Sequence, residues 1–347
     1  PASKYRILAL LVFVALGLLA SWALFIRMPG KSFKGPLPPL TLRESAFSLQ
    51  LHSDVVKICS FGERTPRRPK ALKTSADWIE SQFKAAGLPV TRLAYEAAGQ
   101  AFENIEAVLP GTEARSGVLI LGAHFDTVED CVGANDNGTG VASLLSLARV
   151  LADRSPRPVW EVRFVAFTME EYYFSSHHMG SMVYAENLAK EGKEVAGMLS
   201  LETMGCYSDR QGSQKYPLDA LAMLYPSQGD FITFVGNHAS ARLVRKTVKA
   251  FRKTATLPSE GLAAPEFVPG IGLSDHRSFW KQGYPALMVT DTAMFRYPYY
   301  HSPQDTPDKV DFDRLARVVA GLEKVVEELA NQGTGTLRPT QEPVPND

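Results

Sequence analysis

Histidines and carboxylates in this chain recur just after short apolar runs. Val118 to Ala123 is one such run, and it stops at His124-Phe125-Asp126. His124 and Asp126 are two residues apart, so they share a face where the strand continues. An imidazole with a carboxylate at its other ring nitrogen suits a metal ligand. Gly133-Ala-Asn-Asp136-Asn-Gly-Thr-Gly comes next, just before a helical pattern. Alone, Asp136 reads as an ordinary helix N-cap. The run 162–167 leads into Met169-Glu170-Glu171, and the run 197–201 into Glu202-Thr-Met-Gly205. Tyr299-Tyr300-His301-Ser-Pro-Gln-Asp305-Thr306 follows the run 285–290. Taken singly, paired acids at a strand end are solvated and a loop histidine is a surface residue. Together they bring His, Asp, a Glu pair, another Glu and a second His to strand ends. Oxygen and nitrogen donors without thiolate suit a catalytic zinc site better than a structural one, and there are enough of them for two metals.

The elements that must position these groups alternate. Leu42 to Cys59 and Lys70 to Ala86 carry apolar residues at helical spacing, as do 137–152 and 312–330. Val118 to Ala123, 159–167, 195–201 and 285–290 read as buried strands. This order predicts an α/β fold: a single domain with a mixed, mostly parallel central sheet and helices on both faces. Ligands in such sheets sit beyond the carboxyl ends of the strands, where the polar clusters fall.

Composition narrows the function classes. The chain has 347 residues with 37 basic and 37 acidic side chains. Its 45% hydrophobic content excludes wholesale disorder. A nucleic-acid partner is not expected, because there is no basic surplus. Ile7 to Ile26 is a run of 20 residues without charge. As a helix it spans roughly 30 Å, enough to cross a bilayer core. It predicts an uncleaved membrane anchor over 1–28, with the domain outside the cytoplasm. The alternative is a secreted protein whose signal is cut near Ser21-Trp22-Ala23. A Pro-rich linker follows over 29–41, then a domain over 42–332, then a disordered tail over 333–347. Within the domain, 207–270 reads as an excursion that forms part of a lid. Cys59, Cys131 and Cys206 are too scattered for a disulfide framework, although one bridge between Cys131 and Cys206 is an option.

The segments GAHFDTVEDCVGANDNGTG, FTMEE, SLETMG, GLSDHRSFW and YHSPQDTPD resemble the M28 family of zinc peptidases, in that family's order, over about residues 45–330. The resemblance implies a pair of zinc ions. It implies His124 and Glu202 on the first ion, Asp136 bridging both, and Glu171 with His301 on the second. It implies Glu170 as general base and Asp126 as the group that orients His124. Glu202 stands where the aminopeptidases usually place an aspartate. The Gly-Ser pair expected soon after Glu171 arrives late, at Gly180-Ser181, behind an insertion holding His177 and His178. No tyrosine precedes Ser274-Asp275-His276, which leaves Tyr299, Tyr300 or a zinc ion to stabilise an oxyanion. Arg296 is either a clamp for a substrate carboxylate or a surface residue. The expected activity is that of an aminopeptidase acting on peptides. A glutaminyl-cyclase-like acyl transfer and an inactive, receptor-like relative are the alternatives.

Overall fold

All seven residues of Val118–His124 are buried, and so are all eight of Val195–Glu202. Runs apolar on both sides can lie only inside a sheet covered on both faces. The computed structural model describes residues 22–113 and 117–331, with residues 5–6, 12–13 and 17 before them. Eight strands form one sheet: β1 (Val90–Ala97), β2 (Gln100–Leu109), β3 (Val118–His124), β4 (Glu161–Phe167), β5 (Val195–Glu202), β6 (Ile232–Asn237), β7 (Ser259–Ala264) and β8 (Ala286–Thr290). Their order is β1-β2-β4-β3-β5-β8-β6-β7. The central four, β4, β3, β5 and β8, are parallel, so their carboxyl ends share one edge. β2 joins antiparallel to β4, and β6 antiparallel to β8.

Among the described residues, eight α-helices accompany this sheet: α1 (Leu42–Cys59), α2 (Pro69–Ala85), α3 (Thr139–Ala152), α4 (Gly180–Lys190), α5 (Asp219–Leu224), α6 (Ala241–Phe251), α7 (His276–Lys281) and α8 (Phe312–Ala330). Alternation along β3 divides the core. Leu119 and Leu121 join Val55, Leu144, Val248 and Leu322 from α1, α3, α6 and α8. Val118 and Ile120 join Tyr184 and Leu188 of α4 and Phe279 of α7 on the other face. Thr41 opens α1 with a capping box: its side chain accepts from the Glu44 amide, and Glu44 accepts from the Thr41 amide. Helix α3 can lie close to β5 because Gly140 has no side chain; a Cβ there would sit 2.3 Å from the Leu201 carbonyl oxygen.

The structure also describes the segments expected to lie outside the core. Within the excursion 207–270, β6 and β7 are sheet strands, and α6 packs Val244 and Val248 into the core. Residues 207–231 and 265–270 remain outside the sheet. The stretch 28–38 is fastened to the domain. Met28 is buried beside Gly261 and Val248, Ser32 Oγ accepts from the Ser259 amide, and Arg317 donates to the Pro38 carbonyl. The apolar run 7–26 falls largely outside the described residues, and the tail 333–347 falls wholly outside them. Among the described residues, no helix is long and apolar enough to cross a membrane.

Because Met28 fills a core position, Met28→Ala is expected to cost about 2 kcal/mol in urea unfolding. The half-exposed Leu24, changed to Ala, should shift stability by no more than about 0.5 kcal/mol.

Candidate metal centre

Every candidate ligand sits at or beyond the carboxyl edge of the parallel strands. His124 ends β3, Glu202 ends β5, and Glu170 and Glu171 follow β4. Asp136 lies in the turn Ala134–Gly138 before α3. It is not the helix cap, because Gly138 holds that position without a side-chain cap bond. Its own amide donates to Asp305 Oδ2 at 3.0 Å, and the Asn135 amide donates to Oδ1 at 2.8 Å. Asp305 therefore fixes the turn that presents Asp136, and Tyr297 steadies Asp305 through a 2.7 Å hydrogen bond.

These side chains converge in two groups around one aspartate. His124 Nε2 lies 3.3 Å from Asp136 Oδ1 and 3.1 Å from Glu202 Oε2. His301 Nε2 lies 3.0 Å from Asp136 Oδ2 and 3.2 Å from Glu171 Oε2. Within each triad, His124–Asp136–Glu202 and Asp136–Glu171–His301, the donor atoms are within 4.8 Å of one another. A third grouping joins His124 with Glu170 and Glu171. Asp136 faces one triad with each oxygen. Asp126 accepts the Glu170 amide at 3.2 Å and the Glu171 amide at 3.0 Å, so it sets the paired glutamates. Its carboxylate is 3.6 Å from His124 Nδ1, whose nearer partner at 3.3 Å is the Asp126 carbonyl. Two of the backbones are held in the left-handed region, Met169 at φ 62° and His301 at φ 54°. Such conformations persist in side-chain-bearing residues only where the surroundings enforce them.

The electrostatics are those of a crowded anionic site. Burial raises Glu170 well above the ordinary carboxylate range, and Glu171 and Glu202 add to the shift. Burial, with the Asp136 charge beside it, pushes Glu171 up to about 8. Burial works against a charge on His301, but hydrogen bonds to Asp136 and Glu171 outweigh it and raise the imidazole to about 10. Asp136 is lowered in spite of its burial, by the imidazoles of His124 and His301 on either side of it. Two buried oxygens, Asp136 Oδ1 and Glu171 Oε1, have no hydrogen-bond partner. Leaving such atoms unmatched is costly, and a cation in each triad would satisfy them. The all-nitrogen-and-oxygen donor set fits zinc in a site without thiolate.

Other residues expected at the site are placed differently. Arg296 is buried, with Nε on Gln214, Nη1 on the Cys206 and Phe231 carbonyls, and its guanidinium 4.5 Å from the Phe231 ring. It braces the loops around 206–231 and is neither a surface residue nor open to a substrate carboxylate. Tyr300 stacks on His301 with ring centroids 3.8 Å apart, whereas Tyr299 is exposed and packs against Tyr297. All three cysteines are free: the Cys131 thiol points to the Ser302 carbonyl rather than to Cys206. His177 pairs with Glu186 outside the cluster. Sequence reasoning passed over Asp305, Ser274 and Asn137. Ser274 donates to Glu202 Oε2 at 2.8 Å, and Asn137 Nδ2 stands 3.5 Å from the same oxygen. All three lie within quoted motifs, Asp305 in YHSPQDTPD, Ser274 in GLSDHRSFW and Asn137 in GANDNGTG, but no hydrogen-bonding role was read from them. A cleft open to solvent adjoins the cluster at Glu202 and Tyr300. Its walls include Phe231, Val235, Leu262 and Met288.

Two histidines and buried carboxylates at the carboxyl edge of an open α/β sheet form a candidate metal centre of the kind hydrolases use. The profile described as Peptidase family M28 matches residues 104–326, and the chain belongs to that family. It is 37% identical over 260 residues to the uncharacterised protein YfbL of Escherichia coli, covering 72% of this chain and 78% of that protein. It is 28% identical over 301 residues to leucine aminopeptidase 1 of Arthroderma otae, covering 81% and 73%. Among solved structures, the fold is similar to BSAP, a zinc aminopeptidase from Bacillus subtilis, with a TM-score of 0.65 and 17% identity over 87% of this chain and 97% of that one. It is also similar to the glutaminyl cyclase of Bacteroides thetaiotaomicron, with a TM-score of 0.61 and 17% identity over 84% and 99%.

Since Asp136 faces both triads, Asp136→Asn should weaken both metal sites together, whereas Ser274→Ala should weaken one. Metal loading should be measured by calorimetry between pH 6 and 9. Glu171 carries a proton below about 8 and His301 below about 10, so uptake must displace protons. Affinity should therefore rise with pH across that window, with protons released on binding.

Proposed function

We propose that this chain is a zinc-dependent aminopeptidase that hydrolyses the N-terminal peptide bond of its substrates. The observation that carries the reading is the bridging position of Asp136 between two complete donor triads, with Glu170 beside them. Zinc ions held by His124, Asp136 and Glu202 and by Asp136, Glu171 and His301 would polarise the scissile carbonyl and acidify a water. Glu170 takes the proton of the attacking water and returns it to the leaving amine. Its burial suits that role, because a raised pKa makes a carboxylate a stronger base near neutral pH. Asp126 keeps Glu170 in place through the backbone. Tyr300, stacked on His301, borders the space where the carbonyl oxygen sits. The apolar cavity beside Glu202 receives the side chain of the N-terminal residue. Leucine aminopeptidases among the relatives support that assignment. The apolar run 7–26 attaches the enzyme to a membrane, with the catalytic domain outside the cytoplasm.

The test is hydrolysis of aminoacyl amides by the metal-loaded chain, with and without chelation. Conversion of an N-terminal glutaminyl peptide to its cyclic form, without amide hydrolysis, would replace this reading by acyl transfer. Binding of zinc without either reaction would point to a receptor-like role. Glu170→Gln should lower kcat by about 10²–10⁴-fold with KM little changed and metal content intact. Glu171→Gln should bind its metal more weakly and recover partly with added zinc, which Glu170→Gln should not do.

A further inference from the structure

The formal charge of the chain is zero, yet two segments remote in sequence carry only positive charge. Residues 22–34 hold Arg27, Lys31 and Lys34, and residues 241–253 hold six more basic side chains on and just after α6. Neither segment contains an acidic residue. The fold sets them side by side. Arg245 donates to the carbonyls of Leu24 and Arg27, at 3.3 and 2.7 Å. Arg252 reaches the carbonyls of Met28, Pro29 and Gly30, and Phe25 stacks on His238 at 4.1 Å. Lys31, Lys34, Arg242, Lys249 and Lys253 are exposed on this surface. The acidic groups facing it are few. Glu328 of α8 pairs with Lys253, Glu260 of β7 lies 3.7 Å from Arg252, and Glu266 is bonded to Asn237.

The same surface is where the chain arrives from the uncharged run 7–26. Trp22 and Leu24 are exposed there, with Arg27 over the Trp22 ring. Indole rings and basic side chains are the usual residents of a membrane–water interface. The surface lies beside β6 and β7, at one end of the strand order, whereas His124, Glu170 and Glu171 stand at the ends of β3 and β4 in its middle.

We propose that this joint surface of residues 22–34 and α6 docks on an anionic phospholipid bilayer, with Glu170 and Glu171, several strands away, held off the lipid. The proposal rests on membrane attachment through the run 7–26. Its occupant is chosen by charge complementarity and by that apolar run, which only a lipid surface matches together.

The test uses the full chain reconstituted in nanodiscs of phosphatidylcholine alone or with phosphatidylserine. A fluorophore is placed on Lys249→Cys or, beside Glu171, on Tyr172→Cys, and quenching by spin-labelled lipid headgroups is read. The wild-type chain, carried through the same labelling, gives the background from Cys206. The Lys249 position should be quenched in discs with phosphatidylserine and released at high salt, and the Tyr172 position should be unquenched in both. Each basic residue near an anionic surface is worth about fivefold in affinity, so the double variant Lys31→Glu/Arg242→Glu should release the Lys249 label. That variant should hydrolyse a soluble aminoacyl amide as the wild type does, which shows that it is folded. Chain retained in discs with Lys249 unquenched, or with Tyr172 quenched, overturns the docking surface and leaves the anchor. Chain not retained in either disc overturns the anchor reading and the proposal with it. Tight, salt-sensitive binding of a DNA duplex, abolished by the double variant and outcompeting the anionic discs, would assign the surface to nucleic acid and overturn the proposal.

Discussion

The structure depends on holding several carboxylates where water cannot solvate them. Asp126, Asp136, Glu170, Glu202 and Asp275 are all buried at one edge of the sheet, and the Glu171 side chain is nearly so. His124 and His301 face Asp136, Glu171 and Glu202 with groups able to carry positive charge. Buried like charges repel at low dielectric, and each pays a desolvation cost. Burial accordingly pushes Glu171 to about 8 and Asp275 to about 7. A chain that concentrates acids in this way binds cations or protons there.

Such a cluster persists because the backbone around it is tied from outside. Asp305 grips the turn bearing Asp136, and Asp126 grips the two amides after Met169. The buried Arg64 donates to the carbonyls of Phe125, Gly62 and Val132, joining the loop after β3 to the end of α1. These ties satisfy buried polar groups and leave the ligand side chains free to point inward. Two of the ties are themselves carboxylates, which explains how acids near the site divide between holding metal and holding loops.

The fold was legible where the period of the sequence was plain. β3, β4, β5, β8 and the four long helices lie within a residue or two of where the apolar spacing puts them. β1 and β2 were missed because they are partly exposed and carry Thr91, Arg92, Glu96 and Glu103 among their apolar residues. β6 and β7 were hidden inside a stretch that read as an excursion. Their apolar runs are short, and Gly236 and Gly261 interrupt them. At the site, residues at strand ends could be grouped from sequence alone, because strand ends in a parallel sheet share an edge. Arg296 could not be placed that way. Its partners, Gln214 and the carbonyls of Cys206 and Phe231, come from a loop whose path no periodicity encodes.

Glu202 shows how local supports accommodate a departure in the ligand set. A glutamate reaches one methylene further than an aspartate, so its carboxylate has more freedom at the same strand end. Ser274 removes that freedom by donating to Oε2 at 2.8 Å, and Ser200 is bonded to Ser274 in turn at 2.9 Å. Ser200 and Glu202 lie two apart on β5, so one strand face carries both the ligand and the start of its brace. The brace also links the centre to α7, since Ser274 precedes that helix. The side-chain cavity and the metal triad meet at the same carboxylate, Glu202, which lines one and belongs to the other. A change in how Glu202 is held therefore alters the donor triad and the wall of the cavity together.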